Sequence, residues 1–195
     1  MRRASIATVY LAAAVAGSSP AALASSGADI QGVAQVGGKP QANVVVWVDV
    51  PGALTRADSK PVLDQRNFDF NPRVLAVQVG SVVEFPNHDR VFHNVFSFHD
   101  GKKFDLGLYP TGTMKLVTFD KPGLSRIFCN IHPHMVAYVM AVASPYFAVS
   151  DEAGRFTIRD VPPGNHPYQA WRSGGSTIGG TASSNSETVL AVRWP

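Results

Sequence analysis

The stretch Ser125-Arg126-Ile127-Phe128-Cys129-Asn130-Ile131-His132-Pro133-His134-Met135-Val136-Ala137-Tyr138-Val139-Met140-Ala141-Val142-Ala143 reads as two strands joined by a short loop. Both flanks of the loop are rich in β-branched and aromatic residues, and the second is a nearly continuous apolar run of strand length. Between them stand the chain's only cysteine, two histidines and a methionine, with Cys129, His132 and Met135 spaced C-x2-H-x2-M.

Further histidine and strand signals lie upstream. His93 falls in a short strand, Phe92-His93-Asn94-Val95-Phe96. One thiolate, two imidazoles and one thioether make the donor set of a blue-copper centre, a His2Cys plane with a weak methionine beside it. Taken singly, each residue also fits a plain structural role. Met135 would serve as core packing, His93 as a hydrogen-bonded core histidine, and His132 and His134 as surface loop residues. Those readings leave unexplained why the single cysteine stands three residues before a histidine and six before a methionine. Copper, one ion, is therefore the expected cofactor.

Outward from the site, short strands and turns alternate along the chain. Strands are expected at 30–36, 44–50, 74–79, 82–85 and 92–96, the last followed by a loop of about twenty residues. Asn71-Pro72 marks a turn. Lys115–Phe119 and Ser125–Cys129 are expected to pair around Asp120-Lys121-Pro122-Gly123. In the tail, Asp151-Glu152-Ala153-Gly154 reads as a hairpin turn, Arg155–Arg159 alternates strictly, and Tyr168–Trp171 and Thr188–Trp194 read as strands. The Gly/Ser/Thr-rich 173–186 reads as a mobile loop. No helix longer than two turns is indicated, so the expected class is all-β.

The first 24 residues have the anatomy of a secretory signal peptide: basic Arg2 and Arg3, an apolar run from Ala4 to Ala16, and small residues at Ala22-Leu23-Ala24. The apolar run is too short for a stable span, so no membrane insertion is expected after cleavage. Export makes a lone cysteine informative: no internal disulfide can form, which leaves an intermolecular bridge, simple burial or a metal. Of 17 basic and 14 acidic residues, two basic ones lie in this leader, and the rest of the chain carries a net +1. A near-neutral body with no basic cluster argues against a nucleic-acid partner.

At the residues quoted above the chain resembles the cupredoxins of the plastocyanin and amicyanin group, over roughly residues 60–143. The likeness includes Gly80-Ser81-Val82-Val83-Glu84-Phe85-Pro86-Asn87, His93-Asn94-Val95 and the short, amicyanin-like C-x2-H-x2-M loop. Asn87-His88-Asp89, Phe104-Asp105-Leu106-Gly107 and Cys129-Asn130-Ile131-His132-Pro133 are similar to exported proteins called methylamine-utilisation-like or plastocyanin-like. The resemblance implies a Greek-key β-sandwich, with His93, Cys129, His132 and Met135 as ligands of one type 1 copper. It also implies that Asn94 ties the His93 strand to the Cys129 loop by hydrogen bonds. His134 stands beside the site as a competing ligand or as part of the electron port. His88 and His99 are either unrelated loop histidines or a low-affinity copper entry point.

The flanks, Ile30–Val50 and Val149–Trp171, resemble the two ends of a carboxypeptidase regulatory-like, transthyretin-like β-sandwich. The organisation expected is a signal peptide at 1–24, a flanking sandwich contributed by 25–59 and 144–195, and a cupredoxin domain at 60–143 between them. Neither flank holds enough strands to bury a core by itself.

The function implied is a periplasmic carrier of single electrons between redox partner proteins, and not an enzyme. Copper oxidases and nitrite reductases need further copper centres and more histidines than the six present. No Ser/His/Asp set, phosphate loop or paired carboxylates offers another chemistry. The alternative is a periplasmic copper carrier or sensor.

Overall fold

The structure is a computed structural model that describes residues 27–53, 60–98, 100–185 and 189–195. The expected leader and His99 lie outside the described residues. No helix occurs among those described.

The first segment supplies β1 (Ala28–Val36), β2 (Lys39–Pro40) and β3 (Val45–Val48). The middle supplies β4 (Asp64–Arg66), β5 (Asp69–Asn71), β6 (Val74–Gln78), β7 (Val82–Pro86), β8 (His93–Ser97), β9 (Phe104–Tyr109), β10 (Met114–Thr118), β11 (Gly123–Phe128) and β12 (Val136–Val142). The tail supplies β13 (Phe147–Val149), β14 (Arg155–Val161), β15 (Asn165–Trp171), β16 (Ile178–Ser183) and β17 (Leu190–Trp194).

In the middle segment, one sheet runs β6-β12-β11-β8-β9 and faces the β10-β7 pair, with the β4–β5 hairpin at one end. The core between them is drawn from residues 63–141 and includes Leu63, Phe70, Phe85, Phe119, Ile127, Cys129 and Met135. In the flanking segments, β1 lies between antiparallel β14 and parallel β17. β3 lies between β13 and β15, both antiparallel, and β15 continues to β16. These two sheets enclose a second core that contains Ile30, Val44, Val46, Val48, Phe156, Ile158, Val192 and Trp194.

A third apolar layer joins the two. Strand period sends alternate residues of β12 to opposite faces: Ala137, Val139 and Ala141 enter the middle core, while Tyr138, Met140 and Val142 meet Val45 and Trp171. Both faces of β12 are covered, which is why its sequence is an unbroken apolar run rather than an alternation. Burying each valine or methionine side chain among them contributes about 1.5–3 kcal/mol. β3 and the residue before it divide in the same way, with Val44, Val46 and Val48 on one face and Val45 on the other.

Four local expectations are corrected. Lys115–Phe119 does not pair with Ser125–Cys129: β10 pairs with β7, while β11 pairs with β12 and β8, so the turn at 120–123 crosses from one sheet to the other. Asp151–Gly154 likewise turns between sheets, because β13 pairs with β3 and β14 with β1. The twenty-residue loop after Phe96 contains β9, paired with β8. The Gly-rich 173–186 contains β16, paired along its length with β15. There a Cβ on Gly180 would come within 2.8 Å of the Tyr168 ring, so the glycine permits a close approach between strands.

Candidate metal centre

Three donor atoms converge at one end of the middle sandwich. His93 begins β8 and is fully buried, opposite Tyr109 of β9. Cys129 follows the last residue of β11 and is 3% exposed. His132 lies half-buried in the loop between β11 and β12, where its carbonyl accepts the Met135 N–H at 2.9 Å and closes a tight turn. Nδ1 of His93 is 3.0 Å from Nδ1 of His132, and Sγ of Cys129 is 3.9 and 3.7 Å from those two atoms. All three donor atoms lie within 4.8 Å of one another.

The surroundings orient these groups. Nε2 of His93 faces Oδ2 of Asp89 at 2.9 Å. Burial acts to raise the Asp89 carboxyl, but hydrogen bonds from the Phe68 N–H, from His93 and from the Arg90 N–H together hold it below the usual carboxylate range. An ionised carboxylate only accepts, so Nε2 of His93 carries a proton, and Nδ1 faces His132 and Cys129. The His132 ring is held below its ordinary value by burial and then by the neighbouring His93 and His134 rings, with Asp89 opposing. At neutral pH it is therefore uncharged and able to donate a lone pair.

Asn94, 2% exposed, donates from Nδ2 to Oδ1 of Asp105 at 2.8 Å. Its Oδ1 accepts the Asn130 N–H at 3.4 Å, a long hydrogen bond between the His93 strand and the Cys129 loop. Met135 is fully buried at the end of the loop, in the same core as Cys129. His134 is exposed, with its ring centroid 6.3 Å from that of His132. His88 is apart from the three donors: its Nδ1 contacts Oδ1 of Asp64 at 2.8 Å, and Arg66 binds the other oxygen at 3.2 Å.

Two residues at the site are without a role in the sequence reading: Asp89, behind His93, and Phe68, whose ring lies against both imidazoles. An acidic residue four positions before a candidate ligand histidine was a signal for the first. Phe68 had none, since it reaches the site only through the β4–β5 hairpin.

The donor set suits copper. Imidazoles serve Cu(II), and a thiolate favours Cu(I).

No family model matches the chain, and no curated protein matches it significantly. Among solved structures it is similar to a purple cupredoxin from Nitrosopumilus maritimus, at 24% identity and a TM-score of 0.39 over 43% of this chain and 100% of that one. A point mutant of amicyanin in its reduced state gives 24% identity and a TM-score of 0.39 over 49% of this chain and 99% of that one. A copper-containing nitrite reductase from Thermus scotoductus gives 24% and 0.42 over 49% of this chain, which spans only 25% of that longer chain.

Proposed function

We propose that this chain is an exported type 1 copper protein that carries single electrons between redox partner proteins. The observation that carries the reading is the convergence of His93, Cys129 and His132 within 4.8 Å. Those three residues would hold the copper, with buried Met135 as the weak fourth donor. Copper in such a set supplies a reversible one-electron couple between Cu(I) and Cu(II).

The chain's own residues do the rest. Asp89 and Asn94 hold the His93 strand and the Cys129 loop in fixed register. His93 and Cys129 are enclosed, and His132 is only half-buried, so the electron passes through the His132 edge. Exposed His134 and Ile131 flank that edge. The partner is a protein, in keeping with a near-neutral body. The leader at 1–24 would direct the chain to the periplasm, and residues 60–143 would be a cupredoxin inserted in a transthyretin-like sandwich of 25–59 and 144–195. Support for that division is the separation of the two cores, one drawn from 63–141 and the other from 30–48 and 156–194.

The test is the visible spectrum of the protein titrated with Cu(II). One equivalent should give an intense thiolate-to-Cu(II) charge-transfer band that vanishes reversibly on reduction. Stoichiometric copper binding without that band would overturn the electron-carrier reading and leave a copper carrier or sensor.

A further inference from the structure

The β4–β5 hairpin turns at Asn67 and Phe68, which both have left-handed backbones, φ 55° and 58°. Two-residue turns of this form favour asparagine followed by glycine. A bulky side chain with positive φ is an outlier that its surroundings must hold in place. Here the restraints are visible. The Phe68 N–H donates to Oδ2 of Asp89 at 2.7 Å, and the same oxygen accepts from His93 at 2.9 Å. At the base of the hairpin, Asp64 pairs with His88 at 2.8 Å, and the His88 N–H donates to the Gln65 carbonyl at 3.0 Å. Gln65 itself is fully buried and donates to the Pro86 carbonyl at 3.0 Å.

These restraints set the Phe68 ring edge-on against both imidazoles, with its centroid 5.1 Å from that of His132 and 6.0 Å from that of His93. The residue is still 42% exposed, whereas Phe70, two positions later on the same hairpin, is 2% exposed and lies in the core. Core packing therefore accounts for Phe70 and not for Phe68. A strained backbone that places an apolar ring between solvent and two ligand rings needs another reason.

We infer that Phe68 closes the metal centre on its His93–His132 side, excluding small exogenous anions and water from the donor atoms, and that Asp89 couples this closure to the orientation of His93. The inference rests on the metal-centre reading above. A phenyl ring offers no donor atom, so it blocks an approach without adding a ligand, and the site is left to accept electrons and not small molecules.

The test replaces Phe68 with glycine, the residue this turn favours, so the fold is relieved rather than challenged. In the metal-free protein, alkylation of Cys129 by iodoacetamide should run several-fold faster in Phe68→Gly than in the wild type. In the Cu(II)-loaded protein, azide should shift the visible spectrum of the variant saturably and leave the wild type unchanged. Phe68→Asn, which also tolerates this backbone, should behave in the same way if the glycine variant is poorly folded. A folded variant with a wild-type alkylation rate and no azide response overturns the inference. A wild-type protein that takes up no copper overturns the metal-centre reading instead, and the alkylation rates still decide whether Phe68 covers the donors.

Discussion

The imidazole of His93 is held from behind: its Nε2–H donates to Oδ2 of Asp89, four residues earlier, at 2.9 Å. This single contact orients the ring and turns Nδ1 toward the other donors. A ligand histidine backed by a carboxylate is a more basic and better oriented donor than a free one.

Replacing Asp89 with alanine should therefore weaken copper binding by roughly 10–100-fold, the usual cost of losing such a partner. Competition with a chelator of known affinity measures it. Asp89→Asn, which keeps an acceptor oxygen, should lose less.

The same carboxylate makes stability depend on acid. Its folded value lies below the ordinary one of about 3.9, so its contribution is complete above that pH and is lost as pH falls through the folded value. The urea midpoint of the metal-free protein should drop as the pH falls below about 4. In Asp89→Asn that part of the drop should be missing.

Cys129→Ser should abolish the charge-transfer band, because a hydroxyl cannot replace a soft thiolate. The fold should survive, since no disulfide is lost and the change in volume is small. Circular dichroism and the visible spectrum, taken together, separate the two effects.

Met135→Leu conserves volume at a fully buried position and should cost less than about 1.5 kcal/mol in stability. The copper and its colour should remain, while the reduction potential rises because the oxidised form loses a weak donor. Redox titration checks this. An unmoved potential would exclude Met135 as a ligand and make His134→Ala the next variant to measure.

Removing residues 144–195 would strip β3 of β13 and β15, and β1 of β14 and β17, while all four expected ligands remain. Unpaired strands with apolar faces associate. The truncated protein should aggregate in light scattering, whereas Trp171→Ala, which removes the ring 5.3 Å from Tyr138, should stay soluble and lose about 3–5 kcal/mol.

Much of the site was legible because its parts are close in sequence. Cys129 and His132 lie within one loop, and His93 stands in a short strand rich in β-branched and aromatic residues. Asn94 followed from resemblance, and the structure places it between Asp105 and Asn130. Phe68 was not legible, because its backbone has the conformation that turn rules reserve for glycine, held by a carboxylate 21 residues away. β16 was hidden for the opposite reason: its glycines look like a loop and are needed for the approach of Tyr168. Which strands pair across the turns at 120–123 and 151–154 depends on long-range contacts, and local patterns do not carry that information.

The placement of β1 has a bearing on the order of assembly. β1 and β3 precede the middle segment in the chain, yet apart from the two-residue β2 their partners, β13 to β15 and β17, all follow it. Strands β4 to β12 find all their partners among themselves. The middle segment can thus close, with His93, Cys129 and His132 brought together, while the earliest strands are still waiting. Pairings of such wide separation form slowly. The pairing of the two flanking segments is then a late step, taken after the three candidate donor residues have met.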